Sequence, residues 1–212
     1  MKIFGFLQVK DEISTGHLDR FLSENSELFD ELFAWDDGSC DETPDVLEAF
    51  GARVFRNTAR NFQNESINKA KLLEAIIDSA EEGDAILWLD ADEVMFCSRF
   101  ELQQLVESKF QLGYDSISFE HLNLWRSNAH FRIDDGYFGL RPVRIWRVSK
   151  GLEFERRAGL HQQTHPGGLR ATFHSSDYPV FHYGFATLEA ILSKYARYHL
   201  DWQSGYPLDR LV

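Results

Sequence analysis

Cysteine is scarce in this chain: its 212 residues hold two, Cys40 and Cys97. Two thiols outside any C-x-x-C pair do not make a disulfide framework. The expectation is a reduced protein with two incidental thiols. No apolar run approaches the roughly 18 residues of a membrane span. The apolar opening Met1-Lys2-Ile3-Phe4-Gly5-Phe6-Leu7 meets Lys10-Asp11-Glu12 at once and lacks a small-residue cleavage site. It reads as a first buried strand and not as a signal peptide, and with the thiols it predicts a cytoplasmic location. Positive charge is in deficit, with 22 Lys and Arg against 34 Asp and Glu, a net charge of −12. Such a surface repels a phosphate backbone, which argues against nucleic acid and against an anionic membrane as the main partner. A nucleotide ligand stays compatible, because a divalent cation screens its phosphates locally.

Aromatic side chains, in contrast, are abundant, at 18 Phe, 7 Tyr and 5 Trp. They favour a stiff core and offer rings that stack on a base or a sugar. The length suits one α/β domain, and no repeat, low-complexity tract or linker divides it. We expect a single domain over residues 1–212, with 1–97 and 98–212 as two functional halves. In the first half, strand-like segments at 2–9, 29–35, 52–56 and 85–89 alternate with helical ones. The helices are expected at 14–26, with Ser14 or Thr15 as N-cap, at Thr43–Phe50, closed by Gly51, and at 64–81. This alternation predicts an α/β fold with a doubly wound, mostly parallel sheet. The second half reads as a smaller mixed or antiparallel portion. It has strand-like residues at 114–126 and 137–148, an irregular loop rich in His and Gly at 161–178, and a closing helix from Thr187 to about Trp202.

Asp90-Ala91-Asp92-Glu93 follows the apolar run Ala85-Ile86-Leu87-Trp88-Leu89. Ligands of open α/β sheets bind beyond the carboxyl ends of the strands. Two carboxylates at such an end repel unless a cation lies between them, and Mg²⁺ or Mn²⁺ suits oxygen ligands. The plain alternative is an acidic loop. Asp36-Asp37-Gly38-Ser39-Cys40-Asp41-Glu42-Thr43 also follows a strand and opens a helix. A carboxylate there accepts the N–H of a nucleobase edge; the plain alternative is a turn with a helix cap.

Taken together and in this order, these segments resemble glycosyltransferase family 2, with its GT-A nucleotide-sugar-binding fold. Phe6-Leu7-Gln8-Val9-Lys10-Asp11-Glu12 looks like the family's first strand and loop. Asp36 to Thr43 resembles its D-D-G-S-x-D-x-T segment, Ala59-Arg60-Asn61 the stretch before its long helix, and Asp90-Ala91-Asp92-Glu93 its metal-binding D-x-D. The likeness covers residues 3–97 and is loose beyond. It implies transfer of a sugar, with inversion, from a nucleoside-diphosphate sugar, UDP-sugars favoured. The acceptor is a hydroxyl on a saccharide, a lipid-linked acceptor or a protein. By the same likeness Asp37 contacts the base, and Gln8 and Val9 line that pocket, largely through backbone. Lys10 and Arg60 sit near the diphosphate. Asp92 ligates Mn²⁺ or Mg²⁺, and Asp90 holds the ribose or joins the metal shell. His182, in Phe181-His182-Tyr183-Gly184-Phe185, resembles the histidine of an H-Y-G-Y stretch and reaches the metal or the diphosphate.

The general base is less defined. His161-Gln162 stands where related sequences carry His-Glu. Asp135, within Arg132-Ile133-Asp134-Asp135-Gly136, is our candidate base beside His161, although that segment also reads as a hairpin turn. Glu120 and Glu155 are further options. Trp125 and Trp146 suit a sugar platform or burial, and Arg141, Arg144 and Arg147 suit a solvated strand face or a contact to an acidic ligand. His174 and His199 read as structural or surface residues, and Tyr195, Tyr198 and Trp202 as a packing stripe. Two other functions stay open. A nucleotidyltransferase shares the sheet and the metal, but the Gly-rich basic loop that class needs after its first strand is missing from Gln8 to Glu12. A catalytically inactive nucleotide-sugar-binding protein is favoured by the missing glutamate after His161.

Overall fold

The computed structural model describes residues 1–61, 64–134, 137–156 and 164–201, with side chains through residue 196. In chain order the elements are β1 (Ile3–Val9), α1 (His17–Asn25), a 3-10 turn (Ser26–Leu28), β2 (Glu31–Asp36), α2 (Thr43–Phe50), β3 (Arg53–Arg56), α3 (Glu65–Ile77) and β4 (Ala85–Trp88). There follow β5 (Glu93–Met95), α4 (Arg99–Gln111), β6 (Ser116–Asn123), β7 (Val143–Arg147), β8 (Thr172–His182) and α5 (Leu188–Asp201).

The strands form one eight-stranded sheet in the order β3-β2-β1-β4-β7-β6-β8-β5. Four pairings are parallel, β1 with β2 and β4, β2 with β3, and β6 with β8. Three are antiparallel, β4 with β7, β6 with β7, and β5 with β8. The sheet is therefore mostly parallel, and each antiparallel pairing includes a strand of the second half, as the alternation of elements predicts.

Burial explains the two-sided packing. Successive residues of a strand face opposite ways. Ile3, Leu7 and Val9 join Leu18 and Phe21 of α1, Leu47 of α2 and Leu102 and Val106 of α4 in one cluster. Phe4 and Phe6 face the other way, onto Leu72, Leu73 and Ile76 of α3 and onto Trp88 and Trp146. Each such side chain contributes about 1.5–3 kcal/mol when fully buried, so a strand apolar on both faces is stable only between two helix layers. Gly5 is needed where β1 passes under its neighbours, since a Cβ there would lie 2.6 Å from Leu32 Cδ1 and 2.8 Å from Phe29 Cδ1.

This layering places the carboxyl ends of β1, β2 and β4 side by side, with Val9 opposite Asp36 and Phe6 opposite Trp88. Short β5 then turns back and pairs with β8. Asn25, fully buried at the end of α1, pins it: Asn25 Nδ2 donates to the Glu93 carbonyl at 2.9 Å, and Met95 N donates to Asn25 Oδ1 at 3.1 Å.

Several expected boundaries differ. α1 starts at His17 behind Gly16, whose φ of 70° supplies the turn. Gly16 takes the N-cap position in place of Ser14 or Thr15; their hydroxyls donate to the Asp11 and Glu12 carbonyls at 2.7 and 2.9 Å, and Thr15 Oγ1 also accepts from His17 N, the first N–H of the helix, at 3.2 Å. α3 stops at Ile77, four residues before the expected end at 81. The loop expected at 161–178 is overturned from residue 172 onward, where β8 runs for 11 residues. Its alternation is disguised by a register shift against β6 between Phe119 and His121 and by Tyr178 at φ 58°. α4 had no sequence assignment, although Ser98 and Glu101 form a full capping box at its start. Cys40 is exposed and Cys97 half-buried, and neither is in a disulfide. No helix among the described residues is long and apolar enough to cross a membrane.

Candidate active site

The loop after β2 is held by its own acidic residues. Buried Asp36 accepts from Ser39 N and from Ser39 Oγ. Ser39 Oγ in turn accepts from Asp11 N at 2.8 Å, and Asp11 Oδ1 accepts from Cys40 N at 2.6 Å. Gly38, at φ 74°, lets this loop lie against the next one, where a Cβ would come 2.7 Å from Ala59 C and 2.8 Å from Arg60 N. Asp37 is thereby turned inward. Its N–H donates to the Val9 carbonyl at 3.0 Å. Its Oδ1 accepts from Asn57 Nδ2 at 2.7 Å, Asn61 N at 2.9 Å and Asn68 Nδ2 at 3.5 Å. These donors fix the carboxylate before any ligand arrives.

A cavity of about 180 Å³ opens at this point, lined by Gln8, Val9, Lys10, Glu12, Trp35, Asp37, Glu65, Asn68 and Asp90. A second, of about 830 Å³, shares Lys10 and runs along Asp11, Gly38, Ser39 and Cys40 to Arg56 and Arg60. Lys10 Nζ donates to Asp11 Oδ2 at 2.7 Å and to the Gly38 carbonyl at 2.8 Å. Gln8, Val9, Lys10, Asp37 and Asp90, from three separate sequence segments, therefore line one cavity, and Arg60 lines the next.

The acidic turn after β4 divides its carboxylates among different partners. Asp90 Oδ1 accepts from Trp88 Nε1 at 3.0 Å, and Arg144 stands 3.7 Å from Oδ2. The Asp90 side chain keeps 45% of its surface open to the cleft. The protein packed around it, with the Glu93 carboxylate, nevertheless pushes its pKa up to about 6, against the pull of Arg144. Glu93 points the other way and is buried against Arg144 and His121, its Oε1 accepting from His121 Nε2 at 2.8 Å. Burial opposes its ionisation, but Arg144 and His121 outweigh burial and hold its pKa at about 2. Asp92 Oδ2 lies 3.1 Å from His182 Nε2 and 3.0 Å from Lys194 Nζ of α5. Burial again opposes ionisation, and His182 and Lys194 outweigh it, holding this carboxyl well below its ordinary range. Burial keeps His182 below its usual value; Asp92 pulls the other way and Lys194 reinforces burial.

These contacts form one directed chain. His121 Nε2–H donates to Glu93, so His121 Nδ1 accepts from Asn123 Nδ2 at 3.3 Å. The orientation of the Asn123 amide follows from that bond, and its Oδ1 then accepts from His182 Nδ1–H at 2.7 Å. With His182 neutral, its Nε2 carries a lone pair facing Asp92 and Lys194; protonated, the same atom donates to Asp92. A histidine whose Nδ1–H is held by a carbonyl oxygen is in the usual state of a metal ligand. Two acceptors 3.1 Å apart repel unless a cation bridges them, and here Lys194 does so, at 3.0 and 3.2 Å. The donor set thus fits a cation, with the ammonium as its stand-in. Among the described residues no group of three or more His, Cys, Asp and Glu is arranged to hold a metal; Asp92 and His182 offer two ligand atoms.

Other sequence candidates fall elsewhere. Asp135, His161 and Trp202 lie outside the described residues, as do the side chains of Tyr198 and His199. Arg144 is not on a solvated face: it is 6% exposed, paired with Glu93 and 5.4 Å from the Trp88 ring centroid. Trp146 is fully buried in the core and is no sugar platform. Trp125 packs on Phe185 under the Arg132 guanidinium. His174 is exposed on β8 beside Ser118. Sequence reasoning missed His121, Asn123 and Lys194. The signal for Lys194 was its place three residues after Ile191, which is buried at 5% exposure, so the lysine shares the packed face of the helix.

No protein-family model matches the sequence, and no curated protein matches it either. Solved structures do match the fold. TarS 1-349 of S. aureus in complex with UDP-GlcNAc superposes with a TM-score of 0.58 at 13% identity, over 100% of this chain and 69% of that one. Its complex with UDP gives 0.59 at 14% identity, over 92% and 65%. The fold is GT-A-like. The mannosyltransferase PcManGT from Pyrobaculum calidifontis, in complex with GDP-Man and Mn²⁺, gives 0.54 at 12% identity, over 97% of this chain and 65% of that chain. The present chain spans 65 to 69% of the length of these three structures. At such identities the likeness is one of fold.

Proposed function

We propose that this protein is a glycosyltransferase, resembling family 2, that moves a sugar from a nucleoside-diphosphate sugar to an acceptor hydroxyl with Mn²⁺ or Mg²⁺. The observation that supports this reading is the cavity that Gln8, Val9, Lys10, Asp37 and Asp90 line beyond the ends of β1, β2 and β4, with Asp92, two residues after Asp90, set against His182. The neighbours crystallised with UDP, UDP-GlcNAc and GDP-Man support a nucleotide-sugar donor, UDP-linked in first place.

In this reading Asp37, fixed by Asn57 and the Asn61 N–H, accepts from the base edge. Gln8 and Val9 wall the base pocket. Lys10 and Arg60 face the diphosphate side. Asp90 binds the ribose or a water in the metal shell, and Asp92 and His182 hold the metal, which takes its remaining ligands from phosphates and water. The divalent ion supplies charge neutralisation for the departing nucleoside diphosphate. Direct displacement inverts the anomeric carbon and requires a base for the acceptor proton; Asp135 and His161 are assigned that task. Residues 1–97 supply the base pocket and 98–212 the acceptor side of a single cytoplasmic domain, with His182 crossing over to the donor site.

The test is thermal shift and nucleoside-diphosphate release with a panel of nucleotide sugars, with and without Mn²⁺. Stabilisation by a UDP- or GDP-sugar with turnover is expected. No stabilisation by any nucleotide sinks the reading, and stabilisation without turnover across an acceptor screen turns it toward the inactive binding protein that Gln162 after His161 suggests.

A further inference from the structure

Lys194 is a lysine of α5 whose ammonium stands where Asp92 Oδ2 and His182 Nε2 converge, at 3.0 and 3.2 Å. Three features show the place to be built. The hydrogen-bond chain from Glu93 through His121 and Asn123 orients the His182 ring and, with the imidazole neutral, leaves Nε2 as an acceptor. The Phe185 ring backs the ammonium at 4.5 Å from its centroid. Gly184 keeps the space open, since a Cβ there would run into Lys194 Nζ and Asp92 Oδ2 and come within 2.7 Å of His182 Nε2.

We propose that Lys194 is the resident, exchangeable cation of the donor site: its ammonium holds Asp92 and His182 in ligand geometry and must leave when a divalent cation binds. This rests on the reading of Asp92 and His182 as the metal seat. Asp92 Oδ2 and His182 Nε2 are already satisfied by the ammonium, and a seat with Lys⁺ in it has no room for Mn²⁺ at the same two atoms. Metal entry therefore exchanges one cation for another and frees α5 from its anchor to the sheet. Lysine suits this role, as a compact point charge on a flexible four-carbon stem. The consequence is a coupling: whatever steadies α5 in its docked position weakens metal binding, and the metal loosens α5 by the same factor.

The experiment is a Mn²⁺ titration without nucleotide, following free Mn²⁺ by electron paramagnetic resonance. It compares the wild type with Lys194→Met and Lys194→Arg. An ammonium in place about nine-tenths of the time raises the apparent Kd about tenfold, so Lys194→Met is expected to bind about tenfold more tightly than wild type. Lys194→Arg, which keeps the charge, is expected to bind no more tightly than wild type. Equal or weaker binding by Lys194→Met, tightening by Lys194→Arg to the same extent, or no Mn²⁺ binding by any of the three overturns the proposal. Should Lys194→Met not fold, amide hydrogen exchange of the wild type decides: saturating Mn²⁺ is expected to speed exchange over residues 191–196, and an unchanged rate overturns the proposal. No nucleotide enters these measurements, so their failure reads separately from failure of the donor reading, which thermal shift with nucleotide sugars reports.

Discussion

The cavity after β1 and β2 and the Asp92–His182–Lys194 cluster, the base pocket and the cation seat of the proposed function, are built in opposite ways. The pocket is made by loops that directly follow β1 and β2, and Asp36, Ser39, Asp11 and Cys40 lock those loops through bonds spanning at most 29 residues. The seat joins Asp92 to residues 90 and 102 positions away, His182 and Lys194. The pocket is held by neutral donors around an already oriented carboxylate. The seat is held by opposite charges, and its geometry depends on a buried chain of polar groups starting at Arg144 and Glu93. A site built from local turns is insensitive to the distant half of the chain; a site built from long-range charge pairs is not.

Removing Asp92 tests the difference most directly. Asp92→Ala is expected to abolish metal-dependent nucleotide binding while leaving the metal-independent part, and calorimetry with and without Mn²⁺ separates the two. Metal-dependent binding that survives unchanged would refute the seat. Next in size is Arg144→Met, which takes from buried Glu93 its guanidinium partner and leaves it His121 and the Asp90 N–H. Breaking a buried pair in this way costs about 3–5 kcal/mol, and urea unfolding is expected to show a loss on that scale; a loss below about 1 kcal/mol would mean that the pair is well solvated.

The same pair sets an acid limb. Glu93 has a folded pKa of about 2 against an ordinary 4.5, so it binds fewer protons folded than unfolded in that range. Its stabilisation is complete above about pH 4.5 and is lost as pH falls from there toward about 2, a change on the order of 3 kcal/mol. Unfolding measured from pH 6 to pH 2 on metal-free protein is expected to fall along that window, and Glu93→Gln is expected to flatten the fall; equal slopes would detach the pH dependence from Glu93. Smallest is Asp37→Ala. Losing the acceptor for a base N–H costs about 1–3 kcal/mol, or roughly 10- to 100-fold in nucleotide Kd. The loss is expected with and without Mn²⁺ alike, and a metal-dependent loss would merge the two sites into one.

Legibility followed the same division. Gln8, Val9, Lys10, Asp37 and Asp90 were readable because each sits at or just past a strand end, where chain order alone dictates the neighbourhood. α2 was readable to its last residue, Phe50, because Gly51 takes a left-handed conformation at φ 98°. β8 was not, because the bulge opposite Phe119 and His121 breaks the alternation that marks a strand. Arg144 looked like one of several alternating arginines, and nothing in its sequence neighbours shows that β7 buries it against Glu93.

The sequence by itself determined the layered α/β core, through strands apolar on both faces, and residues that line the cavity beyond β1, β2 and β4, through strand-end motifs. Only the tertiary structure decided which carboxylate of Asp90-Ala91-Asp92-Glu93 faces what. The physical reason is that the three acidic side chains differ little in the chain and greatly in what folding brings to them. Asp90 receives Trp88 and an open cleft, Glu93 receives Arg144 and His121, and Asp92 receives His182 and the ammonium of Lys194.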